Sequence, residues 1–388
     1  MVSFFAKPLA PCLLLLASWA SPAAPVARAA DTGASAKEPL IAPAEQRHAG
    51  LVIEDRVLDL PAPAGAVVVN GSLARLRNML AIVYRVDSVT PSGDQRGQLY
   101  MVELDRSLKP IGPPSVLETR LNRQVTPTAE DPRLIEHQGT LFVAYNSTDN
   151  GQVHKSQRDM YLLEVGVYRG DAQKYFYAAR RKRLLMAGNQ RLRIEKNWTP
   201  FSLNGRLHFV YNTNPPHVGL LDPRDWQAVG TEVTLKPAGQ DDLHVADPFG
   251  TMRGGTPAVW VPERGQFVSF HHTFLLVGQK HHRRRNTPYT ALYLAGAYTF
   301  DMAPPFPISE VSYIPIVPPS AHEELPLQDE GRKLGWINYP TGVVYDAPCH
   351  RYYVSYSQND ARVRLMTIDG ATLDGMLVPA ANDDDLTR

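Results

Sequence analysis

The stretch LIEHQGTLFVAY, from Leu134 to Tyr145, decides the fold class of this chain. A short apolar run precedes a turn at Gly139, and a second apolar run after the turn ends in an aromatic residue. Short apolar runs on both sides of a glycine-containing turn predict the two strands of a β-hairpin. The stretch therefore predicts antiparallel β-structure.

Four other stretches repeat this pattern. Thirty-three prolines and 27 glycines interrupt the sequence, and no helical apolar periodicity is sustained. Repetition of a small sheet about an axis buries faces that a single unit leaves open, so we predict an all-β, five-bladed β-propeller with an active site in its central channel. A β-sandwich with decorated loops is the competing architecture. The repeats are Ala81-Ile82-Val83-Tyr84, Phe209-Val210-Tyr211, Phe267-Val268-Ser269-Phe270 and Tyr353-Val354-Ser355-Tyr356.

Residues 1–30 have the pattern of a secretory signal peptide. Lys7 supplies a positive charge, an apolar run extends from Leu9 to Ala20, and small residues follow at Ala27-Arg28-Ala29-Ala30. This pattern predicts export to a periplasm or secretion, with no stable membrane insertion after cleavage. An uncleaved N-terminal anchor is the alternative.

The rest of the chain divides into two predicted parts. Residues 31–63 are polar and rich in proline, which predicts an extended arm that packs on the domain or closes the ring. Residues 64–388 form the predicted propeller domain, with an acidic inserted loop at 320–333. Cys12 leaves with the signal peptide, so Cys349 has no partner for an internal disulfide.

The charge balance excludes some classes of partner. Forty basic and 39 acidic residues give a formal net charge of +1, which provides no general field to attract nucleic acid or an anionic membrane. A neutral ligand fits this balance better. The run Arg180-Arg181-Lys182-Arg183 is either a patch for polyanions or a solvated strand edge.

Polar residues cluster at the predicted starts of blades two to five. Because the innermost strand of every blade lines the axis, these residues are expected to converge although they are far apart in sequence. Arg133, Asn197, Trp198 and Thr256 are substrate-binding candidates from this set. The starts are Glu130-Asp131-Pro132-Arg133, Lys196-Asn197-Trp198-Thr199-Pro200, Arg253-Gly254-Gly255-Thr256-Pro257 and Asn338-Tyr339-Pro340-Thr341-Gly342.

A second set of candidates follows the aromatic ends of the repeats. Amides, imidazoles and carboxylates bind sugar hydroxyls, and an aromatic ring such as Trp198 offers an apolar platform. Trp198 is also a candidate core residue. The second set comprises Asn146, Asn212, His271, His272, Ser357 and Asp360.

Glycosyl transfer needs a carboxyl group that donates a proton to the leaving oxygen. Asp131 is the candidate for this general acid, with Glu130 beside it as a second catalytic candidate. The alternative is that Asp131 forms a structural ion pair with Arg133.

Adjacent histidines raise the question of a metal site. His271-His272 and His281-His282 are the two pairs. Neighbouring side chains on a strand point to opposite faces, so at most one member of each pair can serve a given site. We expect no metal and no cofactor.

The blade starts also resemble those of a known group, the β-mannoside phosphorylases with their related hydrolases and mannosyltransferases, which are five-bladed propellers. The most specific shared element is Glu130-Asp131-Pro132-Arg133; Gly255-Thr256-Pro257 and Tyr293-Leu294-Ala295-Gly296-Ala297 are similar too. The resemblance implies that Asp131 is the general acid and that Asp360 and Asn197 bind the sugar.

The resemblance further implies a phosphate site formed by Lys196, Arg253, His271 and Tyr293. A phosphorylase usually has an arginine after the third-blade strand, whereas this chain has Tyr211-Asn212 followed by Asn214-Pro215-Pro216-His217. This departure argues against phosphate as a co-substrate.

The leading hypothesis is a hydrolase of β-mannoside-like linkages that inverts the anomeric carbon. Asp131 would donate the proton, directly or through a sugar hydroxyl, while Glu195, Asp346 or Asp360 would activate water. A phosphorylase or transferase of oligosaccharides is the second hypothesis. The third is a propeller that binds glycans without catalysis.

Overall fold

The computed structural model describes residues 39–43, 49–89, 95–119, 128–148, 158–171, 173–188, 195–213, 215–240, 249–277, 290–322 and 333–381. The predicted signal peptide and most of the predicted loop at 320–333 lie outside these ranges. None of the described helices is long and apolar enough to cross a membrane.

The described residues form 22 strands and four short helical segments. Two of these segments are α-helices, α1 (Pro223–Gln227) and α2 (Gly370–Asp374), and two are 3-10 helices, Pro319–His322 and Ala347–Cys349. In chain order the strands are β1 (Val52–Val57), β2 (Val67–Leu76), β3 (Met79–Val89), β4 (Gln95–Leu104), β5 (Ser115–Leu117), β6 (Ala129–His137), β7 (Thr140–Ser147), β8 (Asp159–Arg169), β9 (Lys174–Met186), β10 (Thr199–Leu203), β11 (Arg206–Thr213), β12 (Pro216–Leu220), β13 (Glu232–Gln240), β14 (Thr251–Arg253), β15 (Val259–Val261), β16 (Gln266–Val277), β17 (Thr290–Phe300), β18 (Ile308–Ser312), β19 (Lys333–Asp346), β20 (Arg351–Gln358), β21 (Arg362–Asp369) and β22 (Leu377–Pro379).

Antiparallel pairing groups these strands into successive units. Unit I contains β2 to β5, unit II β6 to β9 and unit III β10 to β13. Unit IV contains β14 to β18, with β14 and β15 both paired to β16. In unit V the strands β19, β20 and β21 are completed by β1 from the N-terminal side, inside the segment predicted as an arm.

The first strands of the units surround a common axis. Neighbouring first strands contact one another around the ring, from β2 through β6, β10 and β15 to β19 and back to β2. The predicted all-β propeller class is confirmed. Parallel ladders join β9 to β13 and β17 to β19, so hydrogen bonding does not separate the sheets into five isolated blades, and that number remains a prediction.

Alternation along the second strands explains why the units pack face to face. In β3, Ala81 and Val83 belong to a hydrophobic cluster shared with unit II, whereas Ile82 and Tyr84 belong to a cluster shared with unit V. Successive side chains of a strand point to opposite faces, so one short apolar run supplies two interfaces. Five such clusters fill the spaces between neighbouring units of the described chain.

A buried polar layer crosses the axis at the middle of the first strands. Its side chains are fully buried, and Thr341 donates to the carbonyl of Gly71 while Ser72 Oγ accepts from the amide of Leu134. These bonds link unit V to unit I and unit I to unit II. The layer divides the axis into two ends and comprises Ser72, Arg133, Thr199, Thr256 and Thr341.

The basic run at 180–183 lies on the outer strand β9 and is engaged in local contacts. Arg181 donates to the Glu118 carbonyl, and the buried Lys182 donates to the carbonyls of Asp225 and Ala228. Arg180 and Arg183 pair with carboxylates. Because β9 pairs with both β8 and β13 and Lys182 is buried, the run forms neither an open patch nor a solvated strand edge.

We expect Asp55→Ala to lower the free energy of unfolding by about 3–5 kcal/mol, because it leaves a buried guanidinium without its partner. The Asp55 carboxylate accepts from Arg364 Nε at 3.0 Å and from the Tyr356 hydroxyl at 2.9 Å, and both charged side chains are buried. Urea unfolding measures the change. Lys236→Ala, which breaks a solvent-exposed pair with Asp222, is the control and should cost at most about 1 kcal/mol. Equal effects of the two substitutions would contradict the prediction.

Candidate active site

A polar pit of about 430 Å³ opens at the axis where the first strands begin. It lies beyond the buried polar layer, on the side of Asn70, Asn197 and Tyr339. Charges of both signs line it, which suits recognition of a polar ligand. They belong to Arg85, Asp87, Glu130, Asp131, Arg158, Lys196, Arg253 and Asp360.

Backbone irregularities aim two of the lining residues into the pit. Asn70 and Asp131 have φ angles of 52° and 51°. Each lies where its strand contains one residue more than the strand paired with it. A residue added in the left-handed conformation makes a β-bulge, which redirects a side chain that regular alternation would place elsewhere. Asn197, with φ of 65° just before β10, has the same conformation. Asparagine and aspartate tolerate this region better than most residues.

The carboxylate of Asp131 is held by amide groups from two units. Its Oδ1 accepts from Asn70 Nδ2 at 2.6 Å, and its Oδ2 accepts from Asn146 Nδ2 at 3.3 Å. The Tyr339 hydroxyl lies 3.4 Å from Oδ2 and 2.8 Å from Asn197 Oδ1. Since one hydroxyl has one proton, the shorter distance indicates that Tyr339 donates to Asn197. These contacts fix the orientation of the Asp131 carboxyl toward the opening.

Arg133 does not pair with the carboxylate of its neighbour. Its guanidinium donates to the backbone carbonyl of Asp131 at 2.7 Å, to the carbonyl of Gly255 at 2.5 Å and to the hydroxyl of Tyr339 at 2.7 Å. The structure therefore departs from the alternative of a private Asp131–Arg133 ion pair. Arg133 supports the floor of the pit from below.

Two arginines engage the other carboxylates of the pit. Arg158 binds Glu130 through two bonds of 2.8 Å each, and Arg85 Nε donates to Asp87 at 2.6 Å. Arg85 Nη1 also lies 3.8 Å from Asp131 Oδ1. Burial is the main cause that raises the pKa of Asp87. With Glu130 and Asp87 already paired, Asp131 and Asp360 are the carboxyls best placed to act on a ligand.

Asp360 has a pKa raised to about 6, first because the surrounding protein removes water from its carboxyl and second because of the negative charge on Asp131. Part of Asp360 remains exposed, but its carboxyl lines the pit, where the walls limit solvation. Asp360 therefore retains its proton to higher pH than an ordinary aspartate does.

An aromatic and cationic wall faces these carboxyls. His272 stacks on Tyr293, with 5.5 Å between ring centroids, and its pKa is far below the ordinary value because of burial and of the charges on Arg133 and Arg253. His272 is thus a neutral imidazole. Arg253 lies over the ring of Phe274 at 5.0 Å. Burial also raises the pKa of Tyr339, which keeps it a neutral donor.

The structure brings most of the predicted site residues into one pit. Those that line it are Glu130, Asp131, Lys196, Asn197, Arg253, Tyr293 and Asp360. Among the three proposed partners of Asp131, Asp360 alone is part of the lining. Glu195 accepts from the Tyr211 hydroxyl and Asp346 accepts from the amide of Leu40.

Other predicted residues lie outside the lining. Trp198 packs in the hydrophobic cluster between units II and III, and Thr256 bonds to the amide of Phe270. Asn212 lies exposed on β11. His271 points to the opposite face of β16, against Tyr298, because neighbouring side chains of a strand alternate. These placements depart from the predicted substrate or phosphate contacts.

Sequence reasoning missed four polar lining residues, namely Asn70, Arg85, Asp87 and Arg158, whereas His272 and Tyr339 belong to the candidate sets. Two of them had a usable signal. Asn70 occupies in unit I the bulged place that Asp131 occupies in unit II, and Arg85 follows Tyr84 as Asn146 follows Tyr145. Alignment of all the units would have found both.

The described residues contain no cluster of three or more His, Cys, Asp or Glu with the arrangement of a metal site. The side chains that line the pit include carboxyls, amides, tyrosines, an imidazole, an ammonium group and guanidinium groups.

Sequence comparison finds no matching family model and no curated protein with significant similarity. Structure comparison does find proteins of similar fold. One similar structure comes from work on the GH130 family of mannoside phosphorylases. Its description states that this family contains glycoside hydrolases that target β-1,2-mannosidic linkages in Candida mannan. It matches with a TM-score of 0.54 and 12% identity, over 89% of this chain and 99% of that one.

This chain has the fold of the GH130 enzymes. A mannose phosphorylase from Leishmania mexicana, solved with phosphate ion, matches with a TM-score of 0.52 and 13% identity, over 85% and 92% of the two chains. A GDP-Man-dependent mannosyltransferase from the same organism matches with a TM-score of 0.50 and 13% identity, over 86% and 95%. The resemblance predicted from the blade-start motifs is thereby confirmed for the fold.

We expect the side-chain carboxyl of Asp360 to titrate near pH 6, and Asp131→Asn to lower that midpoint because the substitution removes a nearby negative charge. Carbon-detected NMR of labelled aspartate side chains measures the midpoint, with Asp360→Asn used to assign the resonance. Asp369→Asn, which changes a carboxyl at the N-cap of α2, is the matched control. A midpoint that is unaffected by Asp131→Asn would contradict the described coupling.

Proposed function

We propose that this protein is an exported carbohydrate-active enzyme that cleaves or transfers β-mannoside-type glycosyl residues, with Asp131 as the general acid. The observation that carries the proposal is the orientation of the Asp131 carboxyl by two amides, in an open pit that also contains Asp360. The shared fold with mannoside hydrolases, phosphorylases and a transferase supports it.

Asp131 is suited to the acid role by its position. Its carboxyl is fixed from behind by Asn70 and Asn146, so little reorganisation is needed when a glycosidic oxygen, or a sugar hydroxyl that relays the proton, approaches from the pit. Glu130 is held by Arg158 through two bonds and serves to shape this wall.

Asp360 is the proposed partner carboxyl. In an inverting hydrolysis one carboxyl protonates the leaving oxygen while the other removes a proton from the attacking water, so the working pair holds one proton. Because the pKa of Asp360 is raised to about 6, its carboxyl is ionised above that pH and can then serve as the base. The basic form of Asp360 is therefore lost as the pH falls through about 6.

We expect Asp131→Asn to lower kcat/KM by about 10²–10⁴-fold on β-1,2-linked mannooligosaccharides, because the amide cannot supply the proton. The purified variant and the wild type are compared by chromatography of released sugars, with proton NMR to identify the first-formed anomer. In the wild type, kcat/KM should fall as the pH drops through about 6, because the proposed base Asp360 becomes protonated.

The matched control is Glu195→Gln, since Glu195 was a candidate from sequence but does not line the pit. Its rate should stay close to that of the wild type. Full turnover by Asp131→Asn would remove the catalytic assignment. Saturable binding of the sugar without turnover by the wild type would instead support a glycan-binding propeller.

Phosphorolysis is the second candidate because the pit contains two cations without carboxylate partners among the described residues. Lys196 is exposed and Arg253 contacts a ring instead of an anion. Both residues line the pit together with Tyr293. Orthophosphate would then take the place of the attacking water.

We expect free sugar rather than glycosyl phosphate as the main product, because the third-unit arginine typical of the phosphorylases is replaced by Asn212 and its neighbours. Product analysis with and without orthophosphate tests this expectation. A rate that depends on orthophosphate and is lost in Lys196→Met and Arg253→Met, but not in Lys236→Met on the outer surface, would establish phosphorolysis instead.

A further inference from the structure

A second cavity, of about 320 Å³, lies at the other end of the axis. Ala74, Ile135, Ser202, Trp260 and Val343 come from five first strands and all line it. In four of the units these residues follow a pit residue by four or five positions, which corresponds to roughly 13–17 Å of extended chain. The buried polar layer separates the two spaces.

The lining of this cavity differs from that of the pit. Apolar side chains dominate its floor, whereas charged groups dominate the pit. Asp131 and Asp360 contribute nothing here, so the cavity has no equivalent of the carboxyl pair. Its volume falls at the lower end of the range of about 300–1,000 Å³ found for small-molecule sites. These properties suit binding rather than catalysis.

Trp260 supplies an aromatic surface at this cavity. Its ring packs edge-on against Phe267, with 5.3 Å between centroids and 65° between planes, and part of the residue remains exposed. The indole nitrogen donates to no group among the described residues. An aromatic face with a free N–H at its edge can contact the apolar face of a ring and donate to an oxygen at its rim.

Polar groups of both charges surround this aromatic surface. Arg75 is exposed and uses Nε to reach the Arg77 carbonyl, while one oxygen of Glu136 accepts from the amide of Gly139 at 2.6 Å. Within the described chain Arg75 and Glu136 do not form an ion pair. Their remaining donors and acceptors suit a ligand that is neutral overall and carries several hydroxyls.

We propose that this cavity is a second, non-catalytic saccharide site, which holds a hexose unit against Trp260 and binds its hydroxyls through Arg75 and Glu136. The site would retain a neutral oligosaccharide on the protein while the pit acts on another segment or another molecule. The choice of a mannooligosaccharide among the probes rests on the proposed function. The saccharide site itself is inferred from the residues that line the cavity.

The test is calorimetric titration of the Asp131→Asn variant with β-1,2-mannobiose, cellobiose, lactose and maltose. We expect at least one of these disaccharides to bind outside the pit. Adding Trp260→Ala should weaken that binding about ten-fold or more by removing the aromatic contact, whereas Trp260→Phe should largely preserve it. In the wild-type background, Trp260→Ala should leave kcat on a short substrate unchanged.

Arg75→Ala is the second variant, because its side chain is exposed and its loss does not threaten folding; it should also weaken the binding. Circular dichroism verifies that each variant is folded. Disaccharide binding that is insensitive to both Trp260→Ala and Arg75→Ala, or no binding outside the pit, would overturn the proposal. Absence of turnover by the wild type would count against the proposed function alone, since the sensitivity of binding to Trp260→Ala and Arg75→Ala reads this cavity without any need for turnover.

Discussion

The hydrogen bonds of the Arg133 guanidinium are the interactions on which the arrangement of strands around the axis depends. It is completely buried and donates to oxygens of Asp131, Gly255 and Tyr339, which belong to three different units. A buried charge is tolerated only when its donors are satisfied, so these three first strands must approach the axis at fixed heights. The floor of the pit follows from that requirement.

The two bulges add the second constraint. In a strand with regular alternation, successive side chains point toward the two neighbouring units. Hydrophobic clusters fill both of those spaces and leave no room for polar side chains. An extra residue in the left-handed conformation at Asn70 and at Asp131 turns both side chains toward the axis instead. The backbone energy of these positions is offset by the hydrogen bond that the two side chains form with each other.

The pit combines the groups that the proposed hydrolysis and the alternative phosphorolysis would use. Arg158 and Arg85 engage Glu130 and Asp87, while Asp131, Asp360, Lys196 and Arg253 also line the pit. Hydrolysis needs only the carboxyls, whereas phosphorolysis also needs the cations. The similar structures include enzymes described as hydrolases, phosphorylases and a transferase, so the fold by itself does not select among these reactions.

The sequence by itself determined the class of the fold and the first catalytic candidate. Short apolar runs with aromatic ends are local signals. The aromatic residues that end the five repeats, including Tyr84 and Tyr356, lie on the second strands of their units as expected. The position of Asp131 in an unusual acidic strand start is equally local. Only the tertiary structure decided that Asp360 faces Asp131, that His272 rather than His271 borders the pit, and that Trp198 belongs to the core. Those facts depend on strand phase, bulges and contacts between residues hundreds of positions apart, which local pattern does not encode.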